Sequence, residues 1–240
     1  MAKHKVLSTK KLEPSLIAQA KENSIEIIEQ EAIKINFTLS NEKWQEASEL
    51  SKKEYVVFTS SNAVLALKKY LHKYVDPFEI KWKIFSLSGK TKEVLEENAG
   101  TFGTIIDTAE DSKALAEKIV NTKIHEVIFF CGNKRREELP DILKKAGVQV
   151  HEVIVYETVE TPVVATDNTD AILFFSPSAV QSFFSVNQLK NNTVCFAIGQ
   201  TTANSIASFT NNKILIGKAP NQQVLLQEVI NYFKSMVGQG

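Results

Sequence analysis

Cysteine is scarce in this chain of 240 residues: only Cys131 and Cys195 occur, each inside or at the end of an apolar run. Two thiols cannot build a disulfide scaffold or a zinc site, and they read as buried thiols in a reducing cytoplasm. Glycine (9) and proline (6) are few as well, which excludes collagen-like and low-complexity architectures. An excess of either charge is also missing. Lys plus Arg and Asp plus Glu both total 28, so no global field draws the protein to nucleic acid or to an anionic membrane. A nucleic-acid binder more often carries a basic excess or stripe. No apolar run approaches the roughly 18 residues of a membrane helix. The start, Met1 to Ser8, lacks the apolar core and cleavage site of a signal peptide, so a cytoplasmic protein is expected.

Cofactor signatures are missing too. There is no GxGxxG, and Gly89-Lys90-Thr91 lacks the upstream glycine of a phosphate-binding loop. His4, His72, His125 and His151 show no ligand spacing and read as surface or connector residues. No Ser-His-Asp order or metal-carboxylate cluster stands out, so no metal site is expected.

What is present is an alternation of short apolar runs with stretches of helical period. The strand candidates are Val6-Leu7, Ile25–Ile28, Tyr55–Thr59, Ile84–Leu87, Thr104–Ile106, Val127–Phe130, Ala171–Phe175, Val194–Ala197 and Ile214–Ile216. Most are continuously apolar, as strands covered on both faces are. Between them, Val64, Leu65, Leu67, Lys68, Leu71 and Val75 mark one helical segment, and Val224, Leu225, Glu228, Val229 and Phe233 another. This rhythm predicts an α/β fold with parallel sheets.

An internal repeat sets the organisation. Phe58-Thr59-Ser60-Ser61-Asn62-Ala63-Val64 aligns with Phe174-Phe175-Ser176-Pro177-Ser178-Ala179-Val180, with four of seven positions identical. Gly89-Lys90-Thr91-Lys92 then aligns with Gly199-Gln200-Thr201-Thr202. The first copy continues into a strand, loop, helix and strand through Val150, which the second lacks. The start of the chain supplies the counterpart, Lys5–Ser8, a helix from Pro14 to Lys21, and Ser24–Ile28. The expectation is two flavodoxin-like (Rossmann-like) lobes with parallel sheets. Residues 1–31 and 161–240 would form a discontinuous lobe, and 39–150 an inserted one. Residues 32–38 and 151–160 would be a two-stranded extended linker.

In such sheets ligands bind beyond the carboxyl ends of the strands, where the repeated motifs fall. Ser60, Ser61 and Asn62 open one helix, and Ser176, Pro177 and Ser178 open its twin. These are good N-caps, and the same free amides and dipole also make an anion site. Gly89 with Thr91, and Gly199 with Thr201 and Thr202, offer a second such turn in each lobe. Four of them suit a ligand with several carboxylates. Lys134-Arg135-Arg136 reads either as a solvated helix start or as cations awaiting an anion, since cations oppose the dipole there. Tyr156, where the chain crosses back between lobes, reads as an amphipathic plug or a proton donor.

Taken in series, five segments resemble uroporphyrinogen-III synthase. They are Phe58–Val64, Gly132-Asn133 followed by Arg136, Gly147–Val155 leading into Tyr156-Glu157-Thr158, Phe175–Val180, and Ala197–Thr202. The likeness covers nearly the whole chain. It implies a lyase that removes the hydroxyl of linear hydroxymethylbilane as water, giving an azafulvene on ring A. Ring D then attacks through its substituted α-carbon to form a spirocyclic pyrrolenine, and rearrangement inverts ring D to give uroporphyrinogen III for tetrapyrrole and heme biosynthesis. The resemblance implies no cofactor. It makes Tyr156 the proton donor, and Ser60, Ser61, Asn62, Gly89, Thr91, Gly132, Arg136, Ser176, Ser178, Gly199, Thr201 and Thr202 the substrate contacts. The partner is a small linear tetrapyrrole, with no nucleic acid or membrane, and a monomer is expected. Two rival readings are a non-catalytic two-lobed binder of a polyanionic small molecule and a regulatory tandem with Asp107 as a phosphorylation candidate.

Overall fold

The computed structural model describes residues 4–45, 54–74, 81–98, 101–166 and 168–237. Val75, Met1–Lys3 and the side chain of His72, all used above, lie outside the described residues. The chain divides into two compact units, residues 1–34 with 159–240, and residues 35–158.

The six-stranded sheet has the order β3-β8-β7-β4-β5-β6. Its strands are β3 (Ile33–Phe37), β4 (Tyr55–Phe58), β5 (Trp82–Leu87), β6 (Gly103–Ala109), β7 (Glu126–Gly132) and β8 (Gln149–Glu160). From β8 to β6 every neighbouring pair is parallel. The crossovers carry α2 (Ser61–Tyr74), α3 (Lys90–Glu96), α4 (Ser112–Asn121) and α5 (Glu138–Lys145). Strands β4 and β7 are apolar at successive positions because each face meets its own helices. Val56, Phe58, Ile128 and Phe130 pack with Val64, Leu67 and Leu71 of α2. Val57, Val127 and Phe129 pack on the other side with Leu115, Ile119, Leu139 and Leu143 of α4 and α5.

The five-stranded sheet, all parallel, has the order β11-β10-β9-β1-β2. It comprises β1 (His4–Ser8), β2 (Ile25–Glu29), β9 (Ala171–Phe174), β10 (Val194–Ala197) and β11 (Ile214–Ile216). Its helices are α1 (Pro14–Glu22), α6 (Pro177–Phe184), α7 (Gln200–Ala207) and α8 (Gln222–Val237). Here too odd and even strand positions feed two cores. Val6, Leu173 and Phe196 meet α1 and α8, and Leu7, Phe174 and Ala197 meet α6 and α7. The sheets correspond strand for strand: β8-β7-β4-β5-β6 matches β2-β1-β9-β10-β11. The N-terminal β1-α1-β2 segment therefore stands where β7-α5-β8 stands in the other sheet.

Two local readings change. The sequence ends one strand at Val150 and assigns 151–160 to a separate linker strand, whereas the structure has one strand from Gln149 to Glu160, paired with β7 as far as Tyr156. The polar pair His151-Glu152, which interrupts the apolar pattern, keeps regular register opposite Ile128 and Phe129, and a bulge follows further along. Register passes from Cys131↔Ile154 to Gly132↔Tyr156, skipping Val155. His4 is no surface residue either: its ring stacks on Phe233 with centroids 4.0 Å apart. Among the described residues, no helix is long and apolar enough to cross a membrane.

Candidate functional site

A cavity of about 390 Å³ opens at the carboxyl ends of β4, β5, β6 and β7, beside Tyr156 of β8, within the 35–158 unit. Leu87, Phe129 and Leu139 form its apolar wall, and Thr59, Ser60, Gly132 and Tyr156 line it beside them. Glu110, Asp111 and Ser112 contribute to the lining, as do Lys134, Arg135 and Arg136.

Ser60 joins β4 to α2. Its Oγ accepts the Asn62 N–H at 3.2 Å, and its carbonyl accepts the Ala63 N–H at 3.1 Å. The capping reading is thus correct for Ser60, and it leaves room for a second partner. The Tyr156 hydroxyl donates to the same Oγ at 3.1 Å. Burial pushes the Tyr156 phenol above its ordinary pKa; the Ser60 bond pulls the other way, and the Cys131 side chain adds to the rise. The phenol therefore keeps its proton through the neutral range, so the group is a donor and not a base.

Gly132 is there for the ring. A Cβ at this position would stand 2.4 Å from Tyr156 Cζ and 2.8 Å from its hydroxyl oxygen. The flat face of the strand end is what lets the phenol lie across it.

Lys134-Arg135-Arg136 does not start a helix. The three cations lie in the turn before α5, whose first turn carries Glu138 and Asp141 and whose last turn carries Lys144 and Lys145. That distribution suits the dipole, so the conflict expected from the sequence does not arise. Arg135 is paired with Glu152 and, at 3.5 Å, with Glu137. Lys144 also holds Glu152, at 2.9 Å. Arg136 is exposed and forms no ion pair among the described residues, which leaves it available to an anion at the cavity.

Ser61 and Asn62 open α2 half-buried, and neither lines the cavity. Gly89 and Thr91 stand at the start of α3, also outside the lining. Gly89 has φ +68°, a conformation that favours glycine, and Thr91 is buried. The sequence did not single out Glu110 or Asp111. Asp111 accepts the Ala114 N–H at 2.8 Å and caps α4, so its pattern is that of any N-cap. Asp107 is held by Lys118 at 2.6 Å and by the Thr108 N–H at 2.8 Å, and lies outside the cavity lining. Both thiols are buried, and burial pushes Cys131 and Cys195 up to about 12.

In the other unit, Ser176 caps α6 by accepting the Ala179 N–H at 3.1 Å, with Pro177 in the first turn. Ser178 is half-buried in that turn. The neighbouring strand end carries Gly199 before α7, with Thr201 exposed and Thr202 buried. The structure brings Ser60, Gly132, Arg136 and Tyr156 together in one unit, and sets Ser176 and Ser178 beside Gly199 and Thr201 at adjacent strand ends in the other.

Paired parallel α/β units with hydroxyls and helix N-termini at the strand ends, and an arginine without an ion pair among the described residues, are an arrangement suited to anionic small molecules. A family model described as uroporphyrinogen-III synthase HemD matches residues 14–227, and the chain belongs to that family. It is accordingly a cyclising lyase of tetrapyrrole biosynthesis, acting on a small tetrapyrrole substrate. Solved structures agree in fold. A mutant uroporphyrinogen III synthase from the extremely thermophilic bacterium Thermus thermophilus is 14% identical, with 99% of this chain and 100% of that one covered and a TM-score of 0.72. Uroporphyrinogen-III synthetase from Helicobacter pylori is 16% identical, covers 95% and 99%, and has a TM-score of 0.67. The wild-type Thermus enzyme in another crystal form is 15% identical over 98% and 99%, with a TM-score of 0.55. Among curated proteins, none matches this sequence significantly.

Proposed function

We propose that this chain closes hydroxymethylbilane to uroporphyrinogen III with Tyr156 as the proton donor that releases the hydroxyl. The observation that carries this reading is the protonated phenol in the cavity lining, 3.1 Å from Ser60 Oγ, with Arg136 in the same lining. Ser60 Oγ holds the phenol through a single hydrogen bond, which the phenol exchanges for the leaving oxygen when substrate enters. Proton transfer from Tyr156 to that oxygen expels water and leaves the protonated azafulvene on ring A and a phenolate, which regains its proton when ring D loses its α-hydrogen on closure. The substituted α-carbon of ring D forms the next bond, giving the spirocyclic pyrrolenine, and fragmentation and recombination invert the ring.

Arg136 and the helix N-termini at Ser61-Asn62 and Gly89–Thr91 are proposed to take acetate and propionate carboxylates, with Ser176, Ser178, Gly199, Thr201 and Thr202 doing so in the other unit. Free N–H groups at helix starts favour such anions. Uncatalysed closure gives the unflipped isomer I, so the enzyme's contribution includes positioning, worth up to roughly 7–11 kcal/mol in favourable cases. We further propose a monomer acting in the cytoplasm, in keeping with two unpaired, buried thiols.

Tyr156→Phe tests the donor. Steady-state turnover is expected to fall about 100-fold or more, the usual contribution of a positioned acid, while circular dichroism keeps the wild-type signal. Turnover within a few-fold of wild type would remove Tyr156 from the mechanism.

A further inference from the structure

The placement of Tyr156 needs an explanation that its own strand does not supply. In a regular strand successive side chains alternate faces, so a residue following Val155 points away from Val155's core. Here Val153, Val155 and Tyr156 all pack against one cluster, that of Phe58 and Phe130. The bulge opposite Gly132 is the cause: two residues of β8 face one of β7, and both members turn to the same side. Pairing resumes at Gly132↔Tyr156, but β7 ends there while β8 runs on to Glu160, so beyond Tyr156 that edge of β8 needs another partner.

Asn133, the residue after Gly132, makes both of the observed holding bonds from that side. Its backbone N–H donates to the Tyr156 carbonyl at 3.2 Å, and its Oδ1 accepts the Thr158 N–H at 2.9 Å. On the other edge, the Val155 carbonyl accepts the Thr38 N–H at 2.9 Å. The phenol is thus fixed between a flat glycine beneath it and an asparagine that holds the Tyr156 carbonyl and the Thr158 amide. The Arg135 pair with Glu152 ties the same turn to β8 on the far side of the bulge.

We propose that Asn133 is a positioning residue for the reaction, setting the Tyr156 phenol by clamping the backbone of residues 156–158. This rests on the reading of Tyr156 as the proton donor. Asn133→Ala removes the Oδ1 acceptor and keeps the backbone bond. It is expected to lower kcat about tenfold, as small displacements of a reacting group do, with KM within about twofold and the thermal midpoint little changed. Asn133→Asp keeps an acceptor at the same atom and is expected to restore kcat to within about twofold of wild type. Combined with Tyr156→Phe, Asn133→Ala is expected to add no further loss, because the group it positions is gone. Wild-type kcat in Asn133→Ala, or an additive loss in the double variant, overturns the proposal.

Hydrogen exchange at the Thr158 amide reads the clamp without reference to activity. Faster exchange in Asn133→Ala than in wild type or Asn133→Asp supports it, and unchanged exchange overturns it. Full turnover by Tyr156→Phe alone would overturn the donor reading, and the exchange measurement tells that outcome from failure of the clamp.

Discussion

A methyl group on Gly132 would sit 2.4 Å from the Tyr156 ring, closer than carbon atoms approach, so ring or strand must move. Gly132→Ala is therefore expected to lower stability by about 1–3 kcal/mol, the usual cost of overpacking, and to cut turnover towards the Tyr156→Phe level. Urea unfolding and steady-state kinetics on the same preparation check both, and a variant with wild-type midpoint and rate would refute the contact. At this scale the sequence was informative only in part. Ser60 was legible as a cap or as a ligand, since both uses need a hydroxyl at a strand-to-helix turn. The close approach at Gly132 and the clamp at Asn133 were not. Their reasons lie across the sheet, in a register with a partner 24 residues away at Tyr156, and no local pattern encodes register.

Helix starts allow a matched comparison at the scale of elements. Gly89 and Gly199 occupy equivalent positions, each the N-cap of the helix that follows. Gly89 has φ +68°, while Gly199 is extended at φ −175° with no atom within 4 Å of an added Cβ. Alanine loses the same capping preference and gains the same unfolded-state advantage at both. The difference is backbone strain, so Gly89→Ala is expected to be about 1–3 kcal/mol less stable than Gly199→Ala, as read from paired thermal melts. Equal midpoints would show that the two turns do not differ in this way.

Strands such as β4, β7, β9 and β10 were legible because burial on both faces leaves an unbroken apolar run. The sequence divides β8 after Val150 because the polar pair His151-Glu152 interrupts its apolar run, although the strand continues through it. The Lys134–Arg136 turn was misplaced for a related reason. The helix begins a few residues later, at Glu138, and the acidic pair Glu137-Glu138 is the better start signal.

For the whole molecule, the repeat carried most of the information. Two copies of one strand order, one of them completed by the first strands of the chain, follow from aligned turns at Ser60 and Ser176 and at Gly89 and Gly199. The repeat singles out equivalent strand ends as candidate ligand sites. It did not distinguish the copies. The cavity with Tyr156 and Arg136 depends on residues for which the other copy has no counterpart in sequence.

The central claim is that this chain directs the inverted closure of a linear tetrapyrrole. Freshly prepared hydroxymethylbilane is incubated with the purified protein, the product is oxidised, and its isomers are separated by chromatography. Uroporphyrin III, formed faster than the spontaneous reaction, is the expected result. Uroporphyrin I alone, formed at the rate seen without protein, would contradict the account.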